Sequence, residues 1–233
     1  MKRICALFFS LILTASVISA QESDSLPSRK ALIFGVELSG PVIYSVDNKN
    51  LNYEGYVALR LNHKYYIVAE GGYGNYKYDQ YNYSCENRGV FIRLGTDINL
   101  LKTDKDIGNH YVGIGFRYGL SVFKQETPWF KYENYWGEIE SAIPEKIING
   151  HFLELSGGIK AEVFDNIFIG WTIRVNMMLY NSSGKANKPV FIPGMGGTDG
   201  TIAPGISFHL AWQIPLKQVG SGPGTKNQHA GER

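Results

Sequence analysis

Val90-Phe91-Ile92-Arg93-Leu94-Gly95-Thr96-Asp97-Ile98-Asn99-Leu100 decides the fold. In an extended chain Val90, Ile92, Leu94, Ile98 and Leu100 fall on one face, and Arg93, Gly95, Asp97 and Asn99 on the other, because successive strand residues point to opposite sides. A strand with one oily and one charged side sits between two different environments. Seven further stretches alternate in the same way, at 31–42, 53–61, 65–74, 110–123, 151–163, 167–179 and 205–216. Each is about as long as the ~9–11 residues of a tilted membrane strand. The pattern predicts an all-β chain, an eight-stranded antiparallel up-and-down transmembrane β-barrel.

The connections carry a second signal. Those at 62–64, 102–108 and 164–166 are short, and those at 43–52, 75–87, 124–150 and 180–204 are long. Strict short–long alternation is the rhythm of outer-membrane barrels, whose short turns are periplasmic and long loops extracellular. Both ends of the barrel domain, 31–216, then face the periplasm. Parity fixes the register. Paired residues share a face, so Asn62-His63-Lys64 pairs Leu61 with Tyr65, and a three-residue turn at Phe164-Asp165-Asn166 pairs Val163 with Ile167. Asn166 takes the left-handed position of that turn.

The 233 residues suffice for one substantial domain. Met1-Lys2-Arg3, the apolar run from Ile4 and the small residues before Gln21 read as a signal peptide over 1–20. That run is shorter than the ~20 residues of a helical span. Residues 21–30 then form a periplasmic lead-in and 217–233 a polar, disordered tail. Of 23 basic residues, cleavage removes Lys2 and Arg3 and leaves 21 against 21 acidic. A neutral chain has no basic face for nucleic acid. Cys85 is then the one cysteine left, which excludes an intrachain disulfide, and it reads as an incidental surface thiol.

A soluble lipocalin-type barrel would place the oily face inward. The glycines of the polar face, Gly35, Gly95, Gly113, Gly115, Gly119, Gly158 and Gly170, suit a crowded lumen instead. Tyr65, Tyr118, Trp171 and Trp212 on the oily face resemble interfacial girdles. The polar face therefore points inward with eleven charges: Glu37, Glu54, Arg60, Glu70, Arg93, Asp97, Arg117, Glu154, Lys160, Glu162 and Arg174. Eight strands leave a lumen that side chains can fill. Near-balanced buried charge is expected to form an ion-pair plug, with Arg93, Arg117 and Arg174 at its centres.

No metal-ligand spacing, phosphate loop or nucleophile elbow occurs, so no cofactor and no catalytic activity are expected. Ser207 and His209 share an inward face, which reads as polar packing. The loops carry Tyr76, Tyr78, Tyr81 and Tyr83, and then Trp129, Phe130, Tyr132, Tyr135 and Trp136. These aromatics either prolong the barrel wall and brace the loops on headgroups, the weightier reading, or give contact area for a glycan or protein. The segment from Gly194 to Gly200 reads as a flexible loop.

Signal peptide, eight alternating strands and alternating loops resemble the small eight-stranded outer-membrane barrels of Gram-negative bacteria. Ala20-Gln21 and the Tyr/Asn-rich loops are similar in style to outer-membrane β-barrel families of Bacteroidota. The resemblance covers 31–216 and has no diagnostic motif. It implies outer-membrane lipid and the insertion machinery as partners. The oily-out strands and the lack of a catalytic constellation predict a structural, envelope-associated role. The alternatives are a receptor or adhesin, and a lipid-modifying enzyme or narrow channel. Many such barrels end on an aromatic residue, whereas this chain runs polar to Arg233.

Overall fold

The computed structural model describes residues 30–101, 110–135, 137–183, 189–197 and 201–216. The expected signal peptide, the segment from 21 to 29, the turn at 102–108, Trp136 and the tail at 217–233 lie outside them. The chain order is β1 (Ala31–Glu37), α1 (Ser39–Val46), β2 (Asn50–Arg60), β3 (Tyr65–Asp79), β4 (Tyr83–Asn99), β5 (Tyr111–Asn134), β6 (Gly137–Phe164), β7 (Ile167–Asn181), β8 (Phe191–Ile192), β9 (Gly196–Gly197) and β10 (Ile202–Pro215). Eight of these strands close an antiparallel barrel in the order β1-β10-β7-β6-β5-β4-β3-β2, and β8 pairs with β9 alone. Consecutive strands from β1 to β7 lie side by side, β7 pairs with β10, and β10 closes the ring against β1.

The faces fall as the alternation predicts. On β4, Phe91, Arg93 and Asp97 are buried while Val90, Ile92 and Leu94 are exposed. On β7, Phe168, Thr172, Arg174 and Asn176 are buried while Ile169, Ile173 and Val175 are exposed. Facing residues share a side all round the ring, as in Glu70 opposite Arg93 and Arg117 opposite Glu154. The Leu61 N–H donates to the Tyr65 carbonyl at 3.0 Å, which gives the expected 62–64 turn.

Several boundaries differ from the sequence reading. The first strand stops at Glu37 rather than 42. Pro41 lacks the N–H a ladder needs, and its fixed φ suits a first helical turn. The Glu37 carboxylate accepts the N–H groups of Ser39 and Gly40 at 2.8 and 2.9 Å, so α1 starts where β1 ends. At the other hairpin, Phe164 opposes Ile167 and the register slips between Glu162 and Phe164. A bulge, not a three-residue loop, therefore keeps the faces aligned. Asn166 does adopt a left-handed φ of 65°.

The connections expected at 75–87 and 124–150 are largely strand. β3 and β4 stay paired out to Asp79 opposite Ser84, and β5 and β6 out to Asn134 opposite Gly137. These hairpins project as long ribbons whose tips carry Tyr81 and Tyr135, both more than nine-tenths exposed. Cys85 lies in the first ribbon and is buried, not a surface thiol.

Candidate functional site

The lumen is built in three layers. Its middle is ionic. Arg93 Nη1 donates to Glu154 Oε2 at 2.5 Å, Arg93 Nη2 meets Glu54 at 2.5 Å, and Arg93 Nε meets Glu70 at 2.9 Å. Arg117 reaches Glu154, Asp97 and Glu70 at 3.0, 2.9 and 3.0 Å. Its Nη1 also donates to the Ser156 hydroxyl. Arg174 closes the set on Glu54 at 2.8 Å. Arg93 is 1% exposed and Glu154 0%, so each charge depends on its partners for the solvation it has lost. The Nε atoms of Arg93 and Arg117 face carboxylates without hydrogen-bond alignment. There the attraction is coulombic.

The planar guanidinium explains why arginine centres the cluster, since it presents donors along two edges. Small neighbours make the room. At Gly119 a Cβ would fall on the Phe152 ring. Strand register then brings the partners together: Glu70 is the direct cross-strand neighbour of Arg93, and Glu154 of Arg117.

Apolar clusters flank the ions on both sides. Toward the short turns Ile33, Tyr56, Ala58, Tyr66, Val68, Tyr111, Phe168 and Ala211 form one cluster. Toward the long connections Phe123, Ile148, Phe152, Ile192, Met195 and Ala203 form another. Sequence reasoning did not separate these layers. Phe91, Phe152 and Phe168 each lie two residues from an inward-facing residue it did identify, so parity already placed them inside.

The segment expected to be flexible supplies part of the upper seal. Phe191–Ile192 and Gly196–Gly197 pair, and the turn between them folds inward. The Gly194 carbonyl accepts from Arg93 at 3.3 Å, the Met195 carbonyl from Asn176 at 2.9 Å, and the Phe191 carbonyl from Asn87 at 2.9 Å. Gly194 has a φ of +79° and lies against the Phe91 ring. Residues 198–200 lie outside the described residues.

Of the expected lumen residues, Glu54, Glu70, Arg93, Asp97, Arg117, Glu154 and Arg174 meet in this cluster. Glu37 caps α1 instead. Lys160 lies over the Tyr56 and Tyr111 rings, 4.9 Å from each centroid. Arg60 is buried toward the short turns, and Glu162 accepts the Asn166 N–H at 2.8 Å. Ser207 and His209 are buried in the lumen, 3.3 Å apart, with His209 Nε2 3.0 Å from the Thr172 hydroxyl. His209 Nδ1, where a catalytic triad would place its orienting carboxylate, has no hydrogen-bond partner among the described residues. No group of three or more His, Cys, Asp or Glu among the described residues is arranged to hold a metal.

The loop aromatics are brought together in part. Tyr76 stacks on Phe191 at 4.6 Å and on Tyr78 at 6.3 Å, and Tyr83 tilts against Tyr78 at 5.9 Å. Trp129 and Tyr132 are exposed on the second ribbon, and Tyr81 is exposed at the tip of the first.

The chain belongs to the DUF6048 family, described as a domain of unknown function, whose model matches residues 1–219. No curated protein matches it by sequence. Among solved structures it is similar to Acinetobacter baumannii CarO, at 11% identity over 83% of this chain and 100% of that chain, with a TM-score of 0.38. A likeness that distant says nothing about this chain's activity.

Proposed function

We propose that this protein is an integral outer-membrane β-barrel with a structural, envelope-associated role, a closed lumen and no catalytic activity. One observation carries the reading. The outer wall is apolar on every barrel strand, with Val36, Val57, Ile67, Ile92, Ile114 and Leu155 all exposed, while the lumen holds paired charges. Water would reverse that arrangement, and hydrocarbon favours it. The short turns at 62–64 and 164–166 face the periplasm and the long ribbons face outward. Fractionation tests the placement: the mature chain should stay with the outer membrane and need detergent for release. Recovery from the periplasm in soluble form overturns it. An epitope in the 62–64 turn should be hidden on intact cells, and one between β5 and β6 accessible.

A second reading has support of its own. Tyr81, Tyr132 and Tyr135 are exposed on projecting ribbons. A receptor or adhesin would use them as contact area for a glycan or protein. Deletion of the β5–β6 ribbon that abolished surface binding would favour it.

A further inference from the structure

The outer wall carries a groove of about 920 Å³ across β1, β2, β3 and β10. Strand register sets its floor and sides. One row of directly paired residues runs Ile92, Gly71, Gly55, Val36, Leu210. The row beside it runs Ala69, Val57, Phe34, Trp212, Ile167. Both rows line the groove, and none of these residues carries a charge. Gly55 and Gly71 face each other across β2 and β3. A Cβ on either would meet nothing closer than a carbonyl oxygen at 3.5 Å. The wall is thinner there than at Val36 and Ile92 by the depth of a side chain.

From Ile92 on β4 to Ile167 on β7 the groove takes five steps between neighbouring strands, a path of about 24 Å at ~4.8 Å per step. Such rows run perpendicular to the strands, and the strands of a membrane barrel tilt by about 35–45°. The path therefore drops about 15 Å, half of a ~30 Å hydrocarbon core. It drops toward the short turns, since Ile92 lies well inside β4 and Ile167 opens β7 beside the 164–166 turn. A groove of that length and slope follows one acyl chain from the periplasmic rim to the middle of the bilayer.

The rim supplies a partner for the head of such a lipid. Lys30 precedes β1 and has the outward parity of Leu32, Phe34 and Val36. The Leu216 N–H donates to its carbonyl at 2.9 Å, which holds it beside the end of β10. Lys30 is exposed and has no ion pair among the described residues. A phosphate at the rim would meet that ammonium group.

Hydrocarbon all round the wall gives no hydrophobic drive into the groove, so packing decides the occupant. An unfilled dent forfeits dispersion contacts along its length. A second barrel is convex and reaches the floor only with single protruding side chains, whereas a linear chain follows it from end to end. We propose that the groove holds one acyl chain of a periplasmic-leaflet phospholipid, with its phosphate at Lys30. The inference rests on the membrane placement proposed above and adds a defined lipid position to it.

The test places the mature protein in phosphatidylethanolamine–phosphatidylglycerol vesicles that carry a trace of phospholipid with a diazirine on one chain. Photolysis is followed by peptide mass spectrometry. A diazirine at the chain terminus should label the peptides of Gly55, Gly71 and Ile92 several-fold above that of Leu155 on the opposite wall. One beside the ester should label those of Trp212 and Ile167 instead. Gly55→Leu with Gly71→Leu fills the open floor and should abolish the enrichment, and Lys30→Gln should weaken it. Gly157→Leu should leave it unchanged, because it adds the same side chain on β6, where nothing lies within 4 Å of a Cβ. Equal labelling of both walls overturns the proposal, as does enrichment that the double variant or Lys30→Gln keeps in full. A crosslinked dimer through these strands that the double variant abolishes also overturns it and assigns the groove to a second copy. Quenching of Trp171 by brominated chains in the same vesicles checks the placement separately. Absent enrichment with that quenching intact removes the lipid site and leaves the barrel.

Discussion

Arg93 and Glu154 stand 61 residues apart in the chain and 2.5 Å apart across the lumen, on strands separated by β5. Glu154 also receives Arg117, and Arg93 also receives Glu54 and Glu70. Neither residue has a private partner. Removing either one strands several charges at once.

Arg93→Met should therefore destabilise the barrel by about 3–5 kcal/mol, the range for leaving a buried ion uncompensated. Lys131→Met removes a half-exposed pair with Glu138 on the second ribbon and should cost no more than about 1 kcal/mol. Urea unfolding of both variants in detergent checks the contrast. Equal midpoints would mean that the lumen cluster contributes nothing specific.

Much of this was legible beforehand, and the limits are physical. Alternation placed Arg93, Asp97 and Glu70 inside because period two is a local property of one strand. Which arginine meets which carboxylate depends on register and on the reach across the ring, and no single strand carries that information. The 191–197 seal was invisible for another reason. Phe191–Ile192 and Gly196–Gly197 are two residues long, too short to alternate, so a glycine-rich stretch passed for a mobile loop. The end of β1 was signalled by Gly40-Pro41, yet Val42 kept the oily pattern of Val36 and Leu38 alive past the break.

Gly119 and Phe152 form a matched pair, since any Cβ at 119 would meet the ring. Gly119→Val should cost about 1–3 kcal/mol by overpacking, and Phe152→Ala about 3–5 kcal/mol by opening a cavity. The double variant should lose less than the sum, because the valine fills space the ring vacated. A double-mutant cycle measures the coupling. Strict additivity would mean that the two residues do not share that space.

Gly194 holds the upper seal in place through its positive φ and its contact with Phe91. Gly194→Val should cost about 1–3 kcal/mol from backbone strain and unseat the turn. The Met195 amide, which donates to the Ile192 carbonyl at 3.0 Å, should then exchange faster with solvent. Unchanged protection of that amide would show that the seal does not depend on Gly194.

The packed ionic layer between two apolar clusters is expected to block a continuous water path through the lumen. Planar-bilayer recordings of the purified protein should show at most small, rare conductance events. A large, steady, ion-selective current would replace the closed-lumen account with a transport function.

The central claim is that the exposed apolar wall faces hydrocarbon, and Trp171 reports on it directly. It lies on the outer face of β7, 38% exposed, with the charged lumen behind it. In a version that keeps only this tryptophan, with phenylalanine at 129, 136 and 212, the protein is reconstituted into bilayers whose acyl chains carry bromine. The account predicts strong quenching of Trp171 fluorescence by the brominated chains and little by aqueous iodide. Quenching by iodide with no effect of bromine would place the wall in water and contradict the membrane barrel.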